Sequence, residues 1–184
     1  KAIPGLFNEI TSTEIDSYLA ETSASLTVEH PDYSYLAARI KANALHKQTP
    51  GFIIATKNLF EDGLLKESYY KKVNENAEII ESIIDYDRDY HFDYFALTTL
   101  TRAYLLKFEN KTIERPQDLW MRVALTVSCD EFDYNKVKNT YLALSTGLYT
   151  HATPTLFNSG LKMQQLSSCF LIGMEDDSIE GIFN

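Results

Sequence analysis

A mainly helical fold, leading into a β-containing region from about His151, is what this sequence predicts. Three observations carry that prediction. Apolar residues recur at three- and four-residue spacing over most of the chain before His151. Helix start and stop signals bracket those runs. The pattern then changes, in "LYTHATPTLFNSG" and "QLSSCFLIGM", to short apolar runs separated by turn formers.

The elements follow in order. Thr11-Ser12-Thr13-Glu14 has the Thr-x-x-Glu spacing of a capping box, and Ile15, Leu19 and Leu26 follow at roughly helical period. A first helix is therefore expected from about Thr13 to Leu26, broken at Pro31 in "EHPDY". A second is expected from Asp32 to Lys47, with Leu36, Ile40 and Ala44 inward and Thr49-Pro50-Gly51 as its stop. A third runs from Phe52 to Glu61 and is closed by Gly63. Val73, Ala77, Ile80 and Ile84 step by four, three and four, which predicts one amphipathic helix from Tyr69 to Asp85.

"YDRDYHFDYFALTTLTRAYLLK" comes next, its later half helical or partly extended. "LLKFENKTIERPQ" alternates around Glu109-Asn110-Lys111 and reads as a β-hairpin. Pro116 suits the first turn of another helix, whose stripe is Leu119, Val123, Ala124 and Val127. A further helix spans Tyr134 to Ser145 and stops at Gly147. Beyond His151 the reading is strand, loop, strand, with Ser167-Ser168-Cys169 inside the second, buried strand. Asp176-Asp177-Ser178 and Glu180 offer caps for a final helix.

Composition narrows the function. The apolar fraction is 45%, and 12 Tyr and 10 Phe argue against a disordered chain. A net charge of −9 repels a phosphate backbone, so nucleic-acid binding is not expected. The two cysteines, Cys129 and Cys169, form neither a disulfide scaffold nor a CxxC or zinc pattern, which suits a reducing compartment such as the cytoplasm. No apolar run reaches the length of a membrane span, and "KAIPGLFNEI" is not a signal peptide. Both ends read as cut, so a fragment of a larger protein is expected.

Several groups could carry chemistry. Asp85, Asp87 and Asp89 resemble the first ligands of a calcium loop, but Tyr90 and Ala96 stand where Gly and Glu are required. His30, His46, His91 and His151 never approach ligand spacing, so no metal is expected on this chain. Arg39, Lys41, Lys47 and Lys57 make the N-terminal helices locally basic: a solvated face, or a phosphate site with the Ser12 end of the neighbouring helix. Cys169 is either a small hydrophobe or a thiol facing a ligand held by the Ser167 and Ser168 hydroxyls beside the Asn158-Ser159-Gly160 loop. Composition and spacing leave both readings open.

"THATPTLFNSG" followed by "QLSSCFLIGMEDDSIEGIFN" closely resembles the large, catalytic subunit of class I ribonucleotide reductases, of the eukaryotic type. "AETSASLTVEHPDYSYLAARIKANALHKQT", "IIDYDRDYHFDYFALTTLTRAYLLK" and "ERPQDLWMRVAL" resemble the same subunit in the same order. One departure is "LKMQQ", where family members commonly carry Pro and Arg. The resemblance implies that residues 1–51 are the C-terminal part of an ATP-cone and 52–150 a helical domain. Residues 151–184 would then be the start of a ten-stranded α/β barrel.

It also implies roles. Cys169 would be one of two cysteines that reduce a ribonucleoside diphosphate, its partner lying outside this chain. Thr153 and Ser168 would touch substrate. Asp177, Ser178 and Ile179 would belong to a specificity site for deoxynucleoside triphosphates or ATP. Ser12, Asp16 and Lys47 would belong to an activity site for ATP or dATP, with Mg²⁺. The implied partners are a radical-generating small subunit with a di-iron tyrosyl radical, further copies of the large subunit, and thioredoxin or glutaredoxin. The chain by itself would be inactive. The alternative is a helical module that binds nucleotides or a partner without catalysis.

Overall fold

Local capping chemistry starts the fold. Thr11 Oγ1 accepts the Glu14 amide at 3.3 Å while the Glu14 carboxylate accepts the Thr11 amide at 2.9 Å, so the capping box forms and opens α1, Ser12–Ser25. The computed structural model describes residues 3, 8–128, 131–171, 173–174 and 176–183; Cys129 lies outside them. A 3₁₀ turn leads to α2, Asp32–Gln48, and α3, Phe52–Glu61, follows. Next come α4, Glu67–Glu75, and α5, Ala77–Ile83. After a 3₁₀ segment, Tyr86–His91, α6 spans Tyr94–Thr99 and runs into a π-helical turn, Leu100–Tyr104.

The hairpin forms as its sequence predicts. Strands β1, Lys107–Phe108, and β2, Lys111–Thr112, pair antiparallel with Phe108 opposite Lys111. Glu109 and Asn110 both take positive φ, as a two-residue turn of this hand requires. Then come α7, Pro116–Val127, and α8, Tyr134–Ser145, at the predicted positions. Short helices α9, Thr153–Asn158, and α10, Ile179–Phe183, complete the described chain. No described helix is long and apolar enough to cross a membrane.

α7 is the centre. Every residue from Pro116 to Leu125 is buried, as for a helix surrounded on all sides. Leu119, Met121, Val123 and Leu125 join Leu59 of α3, Val73 of α4, Ile80 of α5 and Val137 and Tyr141 of α8 in one core. A second, smaller cluster sets Ala38 and Ala42 of α2 against Leu97 of α6.

The structure corrects four expectations. The helix expected from Tyr69 to Asp85 breaks at Asn76, whose side chain donates to the Lys72 carbonyl at 2.9 Å and competes with the helical ladder. In α2 the inward face is Ala37, Ala38, Ala42 and Leu45, while Leu36 is 46% exposed; small side chains let α2 sit closely between α1 and α6. Val127 ends the α7 stripe exposed.

The fourth correction is the largest. Where strands were expected, Pro154 lies in the first turn of α9, a position that favours helix. The described residues from Gln165 to Leu171 form no ladder, and Ser167, Ser168 and Cys169 are exposed rather than buried in a strand. A strand needs a partner for its backbone groups, and the described residues supply none there.

The loop after α9 is nevertheless pinned. Lys66 N donates to Gly160 O and Lys162 N to Leu64 O, both at 3.0 Å, so Leu65 and Leu161 bridge. Gly160 has φ +77°, and a Cβ there would lie 3.3 Å from the ring of buried Tyr69. Gly160→Ala is expected to destabilise the chain by about 1–2 kcal/mol. A shift in the urea midpoint at unchanged slope would measure it; a midpoint equal to the parent's would show that the loop yields without cost.

Candidate functional site

Thr153 begins α9 at the surface, its Oγ1 3.4 Å from the Tyr104 hydroxyl. Two side chains of α9, Thr155 and Asn158, turn toward the segment that carries the thiol. Thr155 Oγ1 donates to Leu166 O at 2.9 Å, and Asn158 Nδ2 donates to Gln165 O at 2.8 Å. Two residues later Ser168 Oγ lies 3.8 Å from Cys169 Sγ, and Cys169 is a free, exposed thiol. The structure therefore ties Thr153 and the Ser168–Cys169 pair to one short helix, without a direct contact between them.

That helix is held from below by a buried ion pair. Arg122 Nε meets Glu114 Oε1 at 2.5 Å, and both side chains are almost wholly buried. Glu114 Oε2 also accepts the Leu106 amide at 2.8 Å. The far side of the guanidinium donates to Ser159 O at 2.8 Å and Leu156 O at 3.2 Å, carbonyls that the end of α9 leaves open. Sequence reading missed Arg122; the signal was present as one cation inside the apolar run "LWMRVAL". A buried charge of that kind must be paired.

A second polar network joins α2 to α7. Arg115 donates through Nη2 to Thr49 O at 2.7 Å and His46 O at 3.3 Å, and stacks 4.6 Å over the Tyr86 ring. Asp89 is fully buried, bonded to His46 Nε2 at 2.7 Å and to the Gln117 amide at 3.2 Å. Burial pushes its carboxyl above the usual range, against the pull of the His46 bond. Asp118 accepts from the Tyr86 hydroxyl at 2.7 Å and the Arg115 amide at 2.8 Å, yet burial still pushes it up to about 7. Of the calcium-like run, Asp85 thus caps the Asp87 amide and pairs with Arg88, and Asp89 braces the Gln117 amide. Among the described residues no group of His, Cys, Asp or Glu is placed to hold a metal ion.

Of the residues expected at an activity site, Asp16 and Lys47 meet as an ion pair at 3.0 Å across α1 and α2. Ser12 sits one turn before Asp16, exposed in the first turn of α1. A crevice of about 80 Å³ lies beside them, lined by Asp16, Glu21, Lys41 and Tyr94, with Lys41 5.4 Å from the Tyr94 ring centre. Partial burial lowers the Lys41 pKa. A larger cleft of about 660 Å³, lined by Asp85, Arg88, Trp120 and Tyr149 among others, contains none of the expected residues.

Asp177, Ser178 and Ile179 are contiguous and exposed at the start of α10. Ser178 Oγ accepts the Gly181 amide at 3.0 Å, so the expected cap forms.

Residues 90–164 match the family model described as the all-alpha domain of ribonucleotide reductase. The ribonucleoside-diphosphate reductase large subunit of Dictyostelium discoideum is 42% identical over 194 residues, covering 100% of this chain and 22% of the relative. That of Arabidopsis thaliana is 42% identical over 193 residues, covering 100% and 23%. That of Vaccinia virus (strain Copenhagen) is 41% identical over 194 residues, covering 100% and 25%. This chain belongs to the ribonucleotide reductase large-subunit family. It spans about a quarter of the length of these relatives. Within this chain, the stretch matched as the all-alpha domain contains Glu114, Arg122 and Thr153, and ends before Ser168 and Cys169.

Proposed function

We propose that this chain is part of a catalytic subunit that reduces ribonucleoside diphosphates to 2′-deoxyribonucleoside diphosphates, supplying precursors for DNA synthesis. The end-to-end match to relatives named as ribonucleoside-diphosphate reductase large subunits carries the reading. In it, residues 1–51 are the C-terminal part of an ATP-cone, 52–150 a helical domain, and 151–184 the start of an α/β barrel. The parent protein works in the cytoplasm with further copies of itself, a radical-bearing small subunit and a thioredoxin or glutaredoxin.

Cys169 and a second cysteine of the parent give two electrons and two protons to the substrate. The 2′ hydroxyl leaves as water, and the two thiols become a disulfide. Thr153 and Ser168 hold the substrate by neutral hydrogen bonds, so that the thiol meets the 2′ position in a fixed geometry. The free, exposed state of Cys169 beside the Ser168 hydroxyl favours a reactive over a packing role.

Effector binding uses the helix ends. The first turn of α1 presents Ser12 at the positive end of the helix dipole, which favours an anion. Lys47 would exchange its Asp16 partner for a phosphate of ATP or dATP, and Mg²⁺ would accompany the nucleotide. The crevice is far smaller than a nucleotide site needs, so other parts of the parent complete that pocket. Asp177, Ser178 and Ile179 would contact a deoxynucleoside triphosphate that selects the substrate.

The test uses the full-length protein, its radical-bearing partner and a ribonucleoside diphosphate, without external reductant. After a single turnover, free thiols are alkylated and Cys169 is read by mass spectrometry. Cys169 is expected to be protected only when substrate and radical are both present. Free alkylation of Cys169 while product forms would remove it from the reaction.

A further inference from the structure

We propose that Arg122, held by Glu114, is the positioning residue for the reducing thiol and the substrate-contacting hydroxyls. The inference rests on the function proposed above. A guanidinium is planar and presents its donors in a fixed fork, so one Arg can set the relative places of several acceptors. Here Nε and Nη2 grip Glu114, while Nη1 and Nη2 reach Ser159 O and Leu156 O. Arg122 and Ser159 are both nearly inaccessible, so these carbonyls have no water to replace the fork.

From that fixed end, hydrogen bonds run outward. Ser159 Oγ donates to Thr155 O at 2.6 Å, which tightens the last turn of α9. Thr155 and Asn158 then hold Leu166 O and Gln165 O. Only Ser167 separates that anchored pair from Ser168 and Cys169, which limits their reach to roughly 10 Å of extended chain. The opposite end of α9 carries Thr153. One buried side chain thus references both the thiol segment and the threonine, although it touches neither.

Arg122→Lys keeps the positive charge beside Glu114 and removes the fork. In the full-length protein assembled with its radical-bearing subunit, kcat is expected to fall roughly tenfold or more while KM changes by less than about threefold. Hydrogen exchange should quicken over residues 160–171 and stay unchanged in α1, α2 and α3. Thr155→Val, which keeps the ion pair and loses only the Leu166 contact, should lower kcat in the same direction.

A folded Arg122→Lys enzyme with kcat within about twofold of the parent would overturn the proposal, as would exchange accelerated equally throughout the chain. Should Arg122→Lys fail to fold, an unchanged kcat in Thr155→Val overturns it instead. Cys169→Ser, run alongside, separates the two readings. If that variant still reduces substrate, the function assigned to Cys169 fails. If it is inactive while Arg122→Lys and Thr155→Val are normal, only the positioning role fails.

Discussion

Replacing Arg122 by Met is expected to lower the stability of the chain by about 3–5 kcal/mol, the usual result of breaking a buried ion pair from one side. Methionine fills much of the volume, so the loss is not one of packing. It arises because Glu114 is left without its partner at 2% exposure and two carbonyls lose their donors. Total stabilities of about 5–15 kcal/mol make this a large fraction. Urea unfolding followed by circular dichroism measures it. Glu114→Leu combined with Arg122→Met should recover part of the loss, because the stranded carboxyl is then gone. A double variant as unstable as the single one would show that the carbonyls, rather than the carboxylate, dominate.

Stability is expected to fall as pH rises from about 4 to about 7, and Asp118 is the group that causes most of the fall. Its carboxyl is pushed up to about 7 by burial, from 3.8 in water. The folded chain therefore holds this proton over a range in which the unfolded chain has released it. Proton binding by the folded state means that unfolding becomes easier with rising pH, and the effect saturates once the folded carboxyl ionises. Each unit is worth about 1.4 kcal/mol, so the whole effect is on the order of 4 kcal/mol. Asp89, raised by burial as well, acts in the same direction. Asp118→Asn is a neutral mimic that can still bond the Arg115 amide, and its urea midpoint should depend much less on pH across this range. An equal slope in parent and variant would rule Asp118 out as the source.

Helix ends were legible because they depend on neighbours in sequence. Thr11 and Glu14, Pro116 and Gly147 act within one turn, and the elements they bound formed as expected. The break at Asn76 was hidden because the apolar spacing continues across it, and no Pro or Gly marks it. The inward face of α2 was misread because three alanines weigh little in a hydrophobic pattern, whereas tertiary packing selects them for size. α9 was read as part of a strand, loop, strand pattern from short apolar runs between turn formers, against the helical preference of Pro154 in a first turn.

The site divides in the same way. The Asp16–Lys47 pairing follows from two neighbouring helices, and the Ser178 cap from one. The proposed role of Cys169 came from family resemblance, since a lone thiol beside hydroxyls has no spacing of its own to read. Arg122, and the burial of Asp89 against His46, were missed because the partners lie on other elements. Neither Ser159 and Leu156 nor His46 stands at a fixed distance in sequence from the side chain it meets.

The two arginines of the α7 region stand seven positions apart, close to two full turns, and so project to nearly the same side about 10 Å from each other. Arg115 holds the carboxyl end of α2, and Arg122 holds that of α9. A single residue inserted or deleted between them would swing one arginine about 100° away from its target while the other stayed in place. Substitutions along this stretch can be absorbed one contact at a time, but its length cannot drift. Among related chains, gaps should gather in the loops around it and be missing from 115 to 122.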